Sequence, residues 1–263
     1  MGSATRNALA QATAQLDAVK GVKLTTGEQL LAAGRAIAGS AQLRAVLTDP
    51  SIDATQKSGL LGRVFTLLDA TAAKLLTGIV ESRWSSGDEL VDGIETVGIR
   101  ALAQAAGEKA GIEGELFAVG RAIASDADLE LALGSKLGDP AAKAAVITKL
   151  TAKKASPATV AILTHLVQSP RGRRIGELVS GAAKTVAEAA GRTLATVTAA
   201  TPLSAAQQTR LATALAAQYG REVRVDVIVD PAVLGGLRVQ VGDEVVDGTV
   251  ASRLADLRLQ LAG

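Results

Sequence analysis

The stretch LLAAGRAIAGSAQLRAVL, residues 30–47, returns in altered form as LFAVGRAIASDADLELAL at residues 116–133. Both contain the run GRAIA, and Gly34 and Gly120 are 86 residues apart. Two further matches follow in the same order: an Asp-Pro pair at 49–50 and 139–140, and LTGIVESRWSSGDELVDG (76–93) with LTHLVQSPRGRRIGELVSG (163–181). One short match would mean little in an alanine-rich chain, but ordered matches at similar spacing indicate an internal duplication.

The duplicated segments have the spacing of an amphipathic helix, with apolar residues three and four positions apart. The two corresponding stripes are Leu30, Ala33, Ile37 and Ala41, and Leu116, Val119, Ile123 and Ala127. An earlier stripe of Leu9, Ala12, Leu16 and Val19 predicts a first helix, with Ser3 available as its N-cap. The Asp-Pro pairs are expected to end or restart helices, because the residue before proline avoids the α region.

The pattern changes after Gly191. Residues 192–204 favour a strand, Ser204 with Gln207 forms a capping box for a helix that ends at Gly220, and valines alternate over 223–229. A second alternating stretch over 237–241 reaches a Gly242-Asp243 turn, residues 244–246 return, and a last helix closes the chain. We therefore predict a mainly α protein of tandem antiparallel bundles, repeat 1 at 1–105 and repeat 2 at 106–191, followed by a small α+β domain of β-α-β-β-α order at 192–263.

Composition limits the classes of function. Hydrophobic residues make up 48% of the 263 residues and aromatic residues 2%, so the core must consist of small aliphatic side chains. The chain has no cysteine and a single histidine, which excludes disulfides and thiolate metal sites. The 28 basic residues nearly balance the 26 acidic ones, so the overall charge gives little support to nucleic-acid binding. No apolar run reaches the roughly 18 residues that span a bilayer, and the first residues do not resemble a signal peptide.

No motif for catalysis or cofactor binding is complete. Lys184-Thr185 is the nearest approach to a phosphate-binding loop, but Ala183 and Leu178 stand where that motif has glycines. Gly235-Gly236 lie between two predicted strands and not at a helix N-terminus, so we interpret them as a backbone device that lets a sheet bend. The acidic pairs Asp88/Glu89 and Asp243/Glu244 fall at turn positions. We predict no catalytic residue, no cofactor and no metal.

Three other features have two interpretations each. His165 lies in an apolar helix pattern, where a hydrogen-bonded core or rim histidine is more common than a general base. Trp84 is expected to pack between helices, with an exposed partner anchor as the alternative. The arginines of SPRGRRIGEL, which are Arg171, Arg173 and Arg174, indicate either a solvated corner between helices or a patch for an acidic partner.

The carboxy-terminal third resembles the delta subunit of bacterial F-type ATP synthases, the counterpart of the mitochondrial oligomycin-sensitivity-conferring protein. The segment that carries the resemblance is VRVDVIVDPAVLGGLRVQVGDEVVDGTVASRLADL. The signature positions, which we expect to be structural, are Asp230, Val233, Leu234, Gly235, Gly236, Gly242, Asp243, Asp247 and Gly248. The usual subunit has a six-helix bundle before its small α/β domain, so the extra length here resembles an enlarged actinobacterial form.

This resemblance implies a non-catalytic stator subunit. The helical part would bind the amino-terminal helices of the alpha subunits, and the small domain would hold the peripheral stalk b subunit, with Leu254, Leu257 and Leu261 as contacts. The protein would then lie at the cytoplasmic face of the plasma membrane, peripheral and attached through the complex. It would contribute to proton-driven ATP synthesis without contacting nucleic acid, nucleotide or proton. The alternatives are a generic helical-repeat adaptor and a nucleic-acid-binding module that uses the arginine corner.

Overall fold

The computed structural model describes residues 2–135, 138–152, 154–220, 222–241 and 244–250. It divides into two compact units, a helical unit over 1–186 and a carboxy-terminal unit over 187–263. The mainly helical fold followed by a small mixed sheet confirms the predicted fold class. The finer division of the helical part into repeats 1 and 2 stays a prediction.

The helical unit begins with six helices, which correspond to the predicted first repeat. They are α1 Ser3–Asp17, α2 Leu24–Ala38, α3 Ala41–Thr48, α4 Ala54–Val64, α5 Ala70–Glu81 and α6 Gly87–Ala106. A short 3₁₀ turn at Glu108–Ala110 leads to the second copy. This copy contains α7 Ile112–Ala124, α8 Ala127–Gly134, α9 Pro140–Thr151, α10 Pro157–Gln168 and α11 Ile175–Ala189, which runs into the second unit.

The duplication is also present in the helix boundaries. Helices α2 and α7 end at Ala38 and Ala124, and α3 and α8 begin at Ala41 and Ala127, again 86 residues apart. Both predicted stripes are therefore interrupted, and Ala41 and Ala127 are exposed first residues of new helices. The Asp-Pro match is also corrected. Asp49 ends α3, whereas Asp139 caps α9 and corresponds to Asp53, the cap of α4.

Short polar side chains start most helices of the chain. The side chain of the N-cap residue accepts a backbone N–H at Ser40, Asp53, Asp69, Ser86, Asp126, Asp139, Ser156 and Ser204. Helix α1 is an exception and corrects a prediction: Ser3 is its first helical residue, the N-cap is Gly2, and no side chain caps it. The backbone N–H of Gly2 instead donates to the carboxylate of Glu89 on α6.

Glycines allow α2 and α6 to pack closely at the centre of the first repeat. A Cβ atom at Gly98 would lie 2.6 Å from Leu31 Cδ2, and one at Gly27 would lie 2.6 Å from Leu102 Cγ. The same contact recurs in the second repeat, where Gly120 of α7 faces Val179 of α11 as Gly34 faces Ile94. The core around this contact is aliphatic, as the composition predicts.

We expect Gly98→Ala to lower the free energy of unfolding of the helical unit by about 1–3 kcal/mol, because the added methyl group must displace Leu31. The matched control is Gly62→Ala on α4, where a Cβ atom meets nothing within 4 Å. That substitution should leave stability unchanged or raise it by up to about 1 kcal/mol. Urea unfolding followed by circular dichroism measures both, and equal stability of the two variants would contradict the packing described.

The carboxy-terminal unit contains β1 Thr193–Ala199, α12 Ala205–Tyr219, β2 Val223–Val229, β3 Leu237–Val241 and β4 Glu244–Asp247. The sheet order is β2-β1-β3-β4, with β1 parallel to β2 and the other pairs antiparallel. The Ser204–Gln207 capping box and the Gly220 stop of α12 are confirmed. The returning segment is a full fourth strand. The Gly242-Asp243 turn and the closing helix after Val250 lie outside the described residues.

One face of this sheet is almost entirely aliphatic. Paired positions across the strands place Val227, Val197, Val239 and Val246 in one row and Val225, Ala195 and Val241 in the next. Helix α12 packs on this face through Leu211 and Leu215. The sheet is thus built on the period-two valine pattern of the sequence.

Candidate functional site

The candidate catalytic groups do not assemble into a site in the described part of the chain. No group of three or more His, Asp or Glu side chains there could hold a metal ion. Asp88 and Glu89 lie in the first turn of α6, where Glu89 accepts a hydrogen bond from Thr5. Glu244 accepts a hydrogen bond from the Tyr219 hydroxyl at 2.8 Å, and its predicted neighbour Asp243 is outside the described residues. Trp84 packs between helices as predicted, with its indole N–H donating to the Ile79 carbonyl.

Six charged or titratable side chains of the helical unit meet where the two repeats contact each other. We call this set the Glu95 cluster. Its members are Arg35, Asp92 and Glu95 from α2 and α6, and His165, Arg171 and Arg173 from α10 and the loop that follows it.

Glu95 is the centre of the cluster, and its side chain is 11% exposed. Its carboxylate accepts from His165 Nε2 at 3.1 Å, Arg171 Nη2 at 3.0 Å and Arg173 Nη2 at 3.1 Å. Arg171 also donates to Asp92 at 2.6 Å. A first-repeat carboxylate thus joins three side chains of the second repeat, and Arg35 donates to the remaining nitrogen of His165 at 2.8 Å.

Within the cluster, the pKa values of both Glu95 and His165 are lower than usual. Burial alone would raise the pKa of Glu95, but the hydrogen bond from His165 and the charges of Arg173 and Arg171 outweigh burial and lower it to about 2. Burial lowers the pKa of His165, although Glu95 acts in the opposite direction. Because Arg35 donates to Nδ1, the neutral ring carries its proton on Nε2 and donates it to Glu95.

The cluster decides between the two interpretations of His165 and between those of the arginine corner. His165 is 3% exposed and hydrogen-bonded on both nitrogens, as expected for a core histidine. Arg171 and Arg173 do meet acidic groups, but these belong to the same chain. Arg171 adopts a left-handed backbone with φ of 49°, the one non-glycine residue with positive φ among those described. Arg174 is exposed, but Arg171 and Arg173 are paired with Asp92 and Glu95, so the corner offers little charge to a phosphate backbone.

The signature residues of the carboxy-terminal unit bring two loops together beside the sheet. Asp230 forms a turn in which its side chain accepts from the Ala232 N–H at 2.9 Å, and its own N–H donates to the Ala199 carbonyl. Val250 N donates to Gly235 O at 3.1 Å, joining the 230–236 loop to the segment after β4. The carboxylate of Asp247 accepts hydrogen bonds from the hydroxyl and the backbone N–H of Thr249. These two hydrogen bonds lower the pKa of the Asp247 carboxyl.

Gly235 and Gly236 shape the backbone at this crossing, with φ of 113° and 82°. A Cβ atom at Gly236 would lie 2.4 Å from the Gly248 carbonyl oxygen. The Gly248 N–H in turn donates to Leu237 O at 2.9 Å. The paired glycines therefore serve close approach of two backbones, and their φ values favour residues without a side chain.

We expect Gly236→Ala to destabilise the carboxy-terminal unit by about 2 kcal/mol or more, through a positive φ and a contact with fixed backbone. Gly191→Ala is the control, since Gly191 has φ of 69° but nothing within 4 Å of a Cβ atom. Its cost should be near 1 kcal/mol. Hydrogen exchange of the β1 and β3 amides measures both, and equal exchange rates in the two variants would show that the loop crossing is not tight.

The carboxy-terminal unit also exposes apolar side chains that the sequence analysis did not single out as contacts. Leu234 is 78% exposed, and Val229, Val245, Val246 and Val250 are between 37% and 48% exposed. Val245 and Val246 are neighbours on β4 and therefore point to opposite faces of the sheet. Leu234 and Val250 lie at the crossing of the two loops, where Val250 N donates to Gly235 O, and we call these two residues the Leu234 patch. Leu234 lies next to the glycine pair, so the signature sequence that shapes the loop also presents an apolar side chain. The predicted contacts Leu254, Leu257 and Leu261 lie outside the described residues.

The family model described as ATP synthase delta (OSCP) subunit matches residues 99–261, which include the second repeat and the carboxy-terminal unit. This chain belongs to the ATP synthase delta (OSCP) subunit family. Among its relatives, the ATP synthase subunit delta of Leifsonia xyli subsp. xyli is 51% identical over 264 residues, covering 100% of both chains. That of Streptomyces avermitilis is 40% identical over 267 residues, covering 98% of each.

These relatives match the first repeat as well as the second, so the enlarged form is shared with actinobacterial delta subunits. A chain in the cryo-EM structure of the Toxoplasma gondii mitochondrial ATP synthase hexamer is 25% identical over 64% of this chain and 97% of that chain, with a TM-score of 0.40. Membership in the family makes the chain a non-catalytic stator component of the ATP synthase, and no described helix is long and apolar enough to cross a membrane.

Proposed function

We propose that this subunit joins the catalytic head to the peripheral stalk through its two units. The helical unit binds amino-terminal helices of the alpha subunits, and the carboxy-terminal unit binds the b subunit. The link resists rotor torque during proton-driven ATP synthesis at the cytoplasmic face of the membrane. Two binding sites on separate compact units are the simplest arrangement for a connector.

The observation that carries the stalk contact is the Leu234 patch. Five of the large apolar side chains that are exposed in the described residues fall within 22 positions of this unit. Exposed apolar side chains of this kind are typical of surfaces that bury an amphipathic helix. A titratable site is not needed, and the polar groups of the signature loops are occupied with backbone hydrogen bonds.

The Glu95 cluster supports the proposed resistance to rotor torque. It fastens the repeats to each other with charge-assisted hydrogen bonds, so force applied to one repeat passes to the other without a flexible joint. A torque-bearing connector requires this property, whereas a generic adaptor does not.

Titration calorimetry tests the proposal directly. The full-length protein is titrated with a synthetic alpha-subunit amino-terminal peptide and with a carboxy-terminal fragment of the b subunit, at two salt concentrations. We expect both to bind, in either order, and Leu234→Asp to weaken the b fragment at least tenfold while leaving the alpha peptide unchanged. Failure of both ligands to bind would reject the stator contacts.

The nucleic-acid alternative makes a different prediction in the same experiment. Affinity for nucleic acid falls steeply with salt because counterions are released. With Arg171 and Arg173 paired to Glu95 and Asp92, we expect no measurable binding of a duplex at physiological salt. Tight, salt-sensitive duplex binding would favour the alternative.

A further inference from the structure

The ring of His165 on α10 lies between two helices of the first repeat. Its Nε2 atom donates to Glu95 of α6 at 3.1 Å, and its Nδ1 atom accepts from Arg35 of α2 at 2.8 Å. We call this contact of α10 with α2 and α6 the inter-repeat contact. It requires a neutral ring, because a neutral imidazole has one donor and one acceptor nitrogen, whereas a protonated ring has only donors.

Protonation of His165 removes the acceptor that Arg35 uses. Nε2 already carries the proton that is donated to Glu95, so a second proton has to enter at Nδ1, directly opposite the Arg35 guanidinium. Two N–H donors and two positive charges would then face each other at hydrogen-bond distance. The ring can therefore take up a proton only if His165 and Arg35 move apart.

The charged groups of the Glu95 cluster add to this conflict. Arg35 comes from α2, Asp92 and Glu95 come from α6, and Arg171 and Arg173 come from the loop after α10. Three guanidinium groups and two carboxylates leave one positive charge in excess while the ring is neutral. A proton on the ring adds a second.

Helices α7 and α9 also pack on α10. Glu115 of α7 accepts from Thr159 and from the N–H and hydroxyl of Ser156, nearly two turns before His165. Lys143 of α9 donates to the Ser135 carbonyl. Among the described residues, Glu95 is the carboxylate in contact with the ring, and it faces Nε2, so a proton on Nδ1 gains no new acceptor.

Each repeat has packing of its own besides the inter-repeat contact. The aliphatic core of the first repeat consists of residues between Ala8 and Ala105. Helix α10 packs on α7 and α9, which belong to the same repeat as itself. Separation at the inter-repeat contact therefore leaves the packing within each repeat in place.

We propose that His165 makes the inter-repeat contact sensitive to acid: uptake of one proton at Nδ1 releases α10 from α2 and α6 while each repeat keeps its own core. Burial acts in the same direction, since it lowers the pKa of His165 and makes the separated form the better proton acceptor. The separated form therefore gains up to about tenfold with each pH unit below 6.5, until the closed form also takes up the proton. This property belongs to the helical unit alone and does not depend on the proposed contacts with the head or the stalk.

An introduced thiol measures the opening in the full-length protein, because the natural chain has no cysteine. Ile162→Cys places the thiol one turn before His165 on the same face of α10, at a position that is 0% exposed. Leu75→Cys is the matched control, at the corresponding position of α5 and also 0% exposed. Each labelling rate is divided by the rate of the urea-unfolded chain at the same pH, which removes the pH dependence of the thiol itself.

We expect the normalised rate of the Ile162→Cys protein to rise about fivefold between pH 6.5 and 5.5, as the release linked to one proton requires. The Leu75→Cys protein should label more slowly at every pH, because the first core stays closed. Equal rates at the two sites would show that the unit opens as a whole, and a constant rate from pH 7.5 to 5.5 would show that the ring does not control the contact. Either result overturns the proposal. Ala161→Cys, on the same face, is a second reporter if loss of the isoleucine perturbs folding.

Side-chain variants in the Ile162→Cys background assign the effect. His165→Gln keeps a donor for Glu95 and an acceptor for Arg35, so it should abolish the rise. Arg35→Met removes the donor opposite Nδ1 and should reduce the rise to less than about twofold, because the closed form can then take up the proton. Arg121→Met, at the exposed counterpart on α7, should leave the rise unchanged. A rise that persists in His165→Gln or in Arg35→Met would contradict the assignment to this pair.

Discussion

Glu95→Ala is expected to lower the free energy of unfolding of the helical unit by about 3 kcal/mol. Removing one partner of a buried charged network costs about 3–5 kcal/mol, because the remaining charges stay buried without compensation. We expect a loss at the lower end of this range, because the Arg173 side chain is 37% exposed and Asp92 still accepts a hydrogen bond from Arg171. The loss should be greatest at the contact between the repeats, which the carboxylate of Glu95 holds together.

The control is Asp88→Ala on the same helix. Asp88 is 87% exposed and its ion pair with Arg44 is 3.9 Å long, so its removal should change stability by less than about 0.5 kcal/mol. Urea unfolding gives the two values, and hydrogen exchange of the α10 amides shows whether the repeats separate first. Similar losses in both variants, or unchanged α10 exchange in Glu95→Ala, would show that the cluster does not join the repeats.

Acid is expected to destabilise the helical unit in two stages. The folded pKa of His165 lies below its ordinary 6.5, so the unfolded chain takes up this proton first and stability falls as pH drops below about 6.5. The folded pKa of Glu95 is about 2 against an ordinary 4.5, so a further loss accumulates between pH 4.5 and 2. The second stage amounts to about 3 kcal/mol when complete.

Melting temperature as a function of pH measures both stages, and two variants assign them. His165→Gln keeps a donor and an acceptor between Arg35 and Glu95 and should remove the stage below pH 6.5 only. Glu95→Gln should lower stability at neutral pH and remove much of the stage below pH 4.5. Wild-type stability that stays constant from pH 7 to 5, or that rises on acidification, would contradict the described burial of the histidine.

Periodic features of the fold could be predicted because each depends on nearby residues. Alternating valines specify β2 and β3, and Ser204 with Gln207 specifies the start of α12. The 86-residue repeat predicted a second bundle from the first. Where a prediction failed, two local signals competed. The apolar stripe continued through Gly39 to Ala41, but Ser40 supplies an N-cap that starts a new helix.

The Glu95 cluster could not be predicted because its partners are about 70 to 130 residues apart in sequence. No periodic pattern brings a carboxylate on α6 to a histidine on α10. One signal was available in the aligned copies. The positions of His165 and Arg171 in the second repeat are Gly78 and Trp84 in the first. At these positions the second copy has side chains that can be charged or titrated, and they contact Glu95.

The start of α1 was also predicted incorrectly. The sequence offers Ser3 as the N-cap, whereas Gly2 is the N-cap and Ser3 is the first helical residue.

A density map of the assembled ATP synthase tests the central claim most directly. The account predicts that residues 1–186 lie against the catalytic head. It also predicts that the Leu234 patch faces the end of the b subunit. A map in which the helical unit contacts only the stalk, or the carboxy-terminal unit contacts only the head, would contradict it.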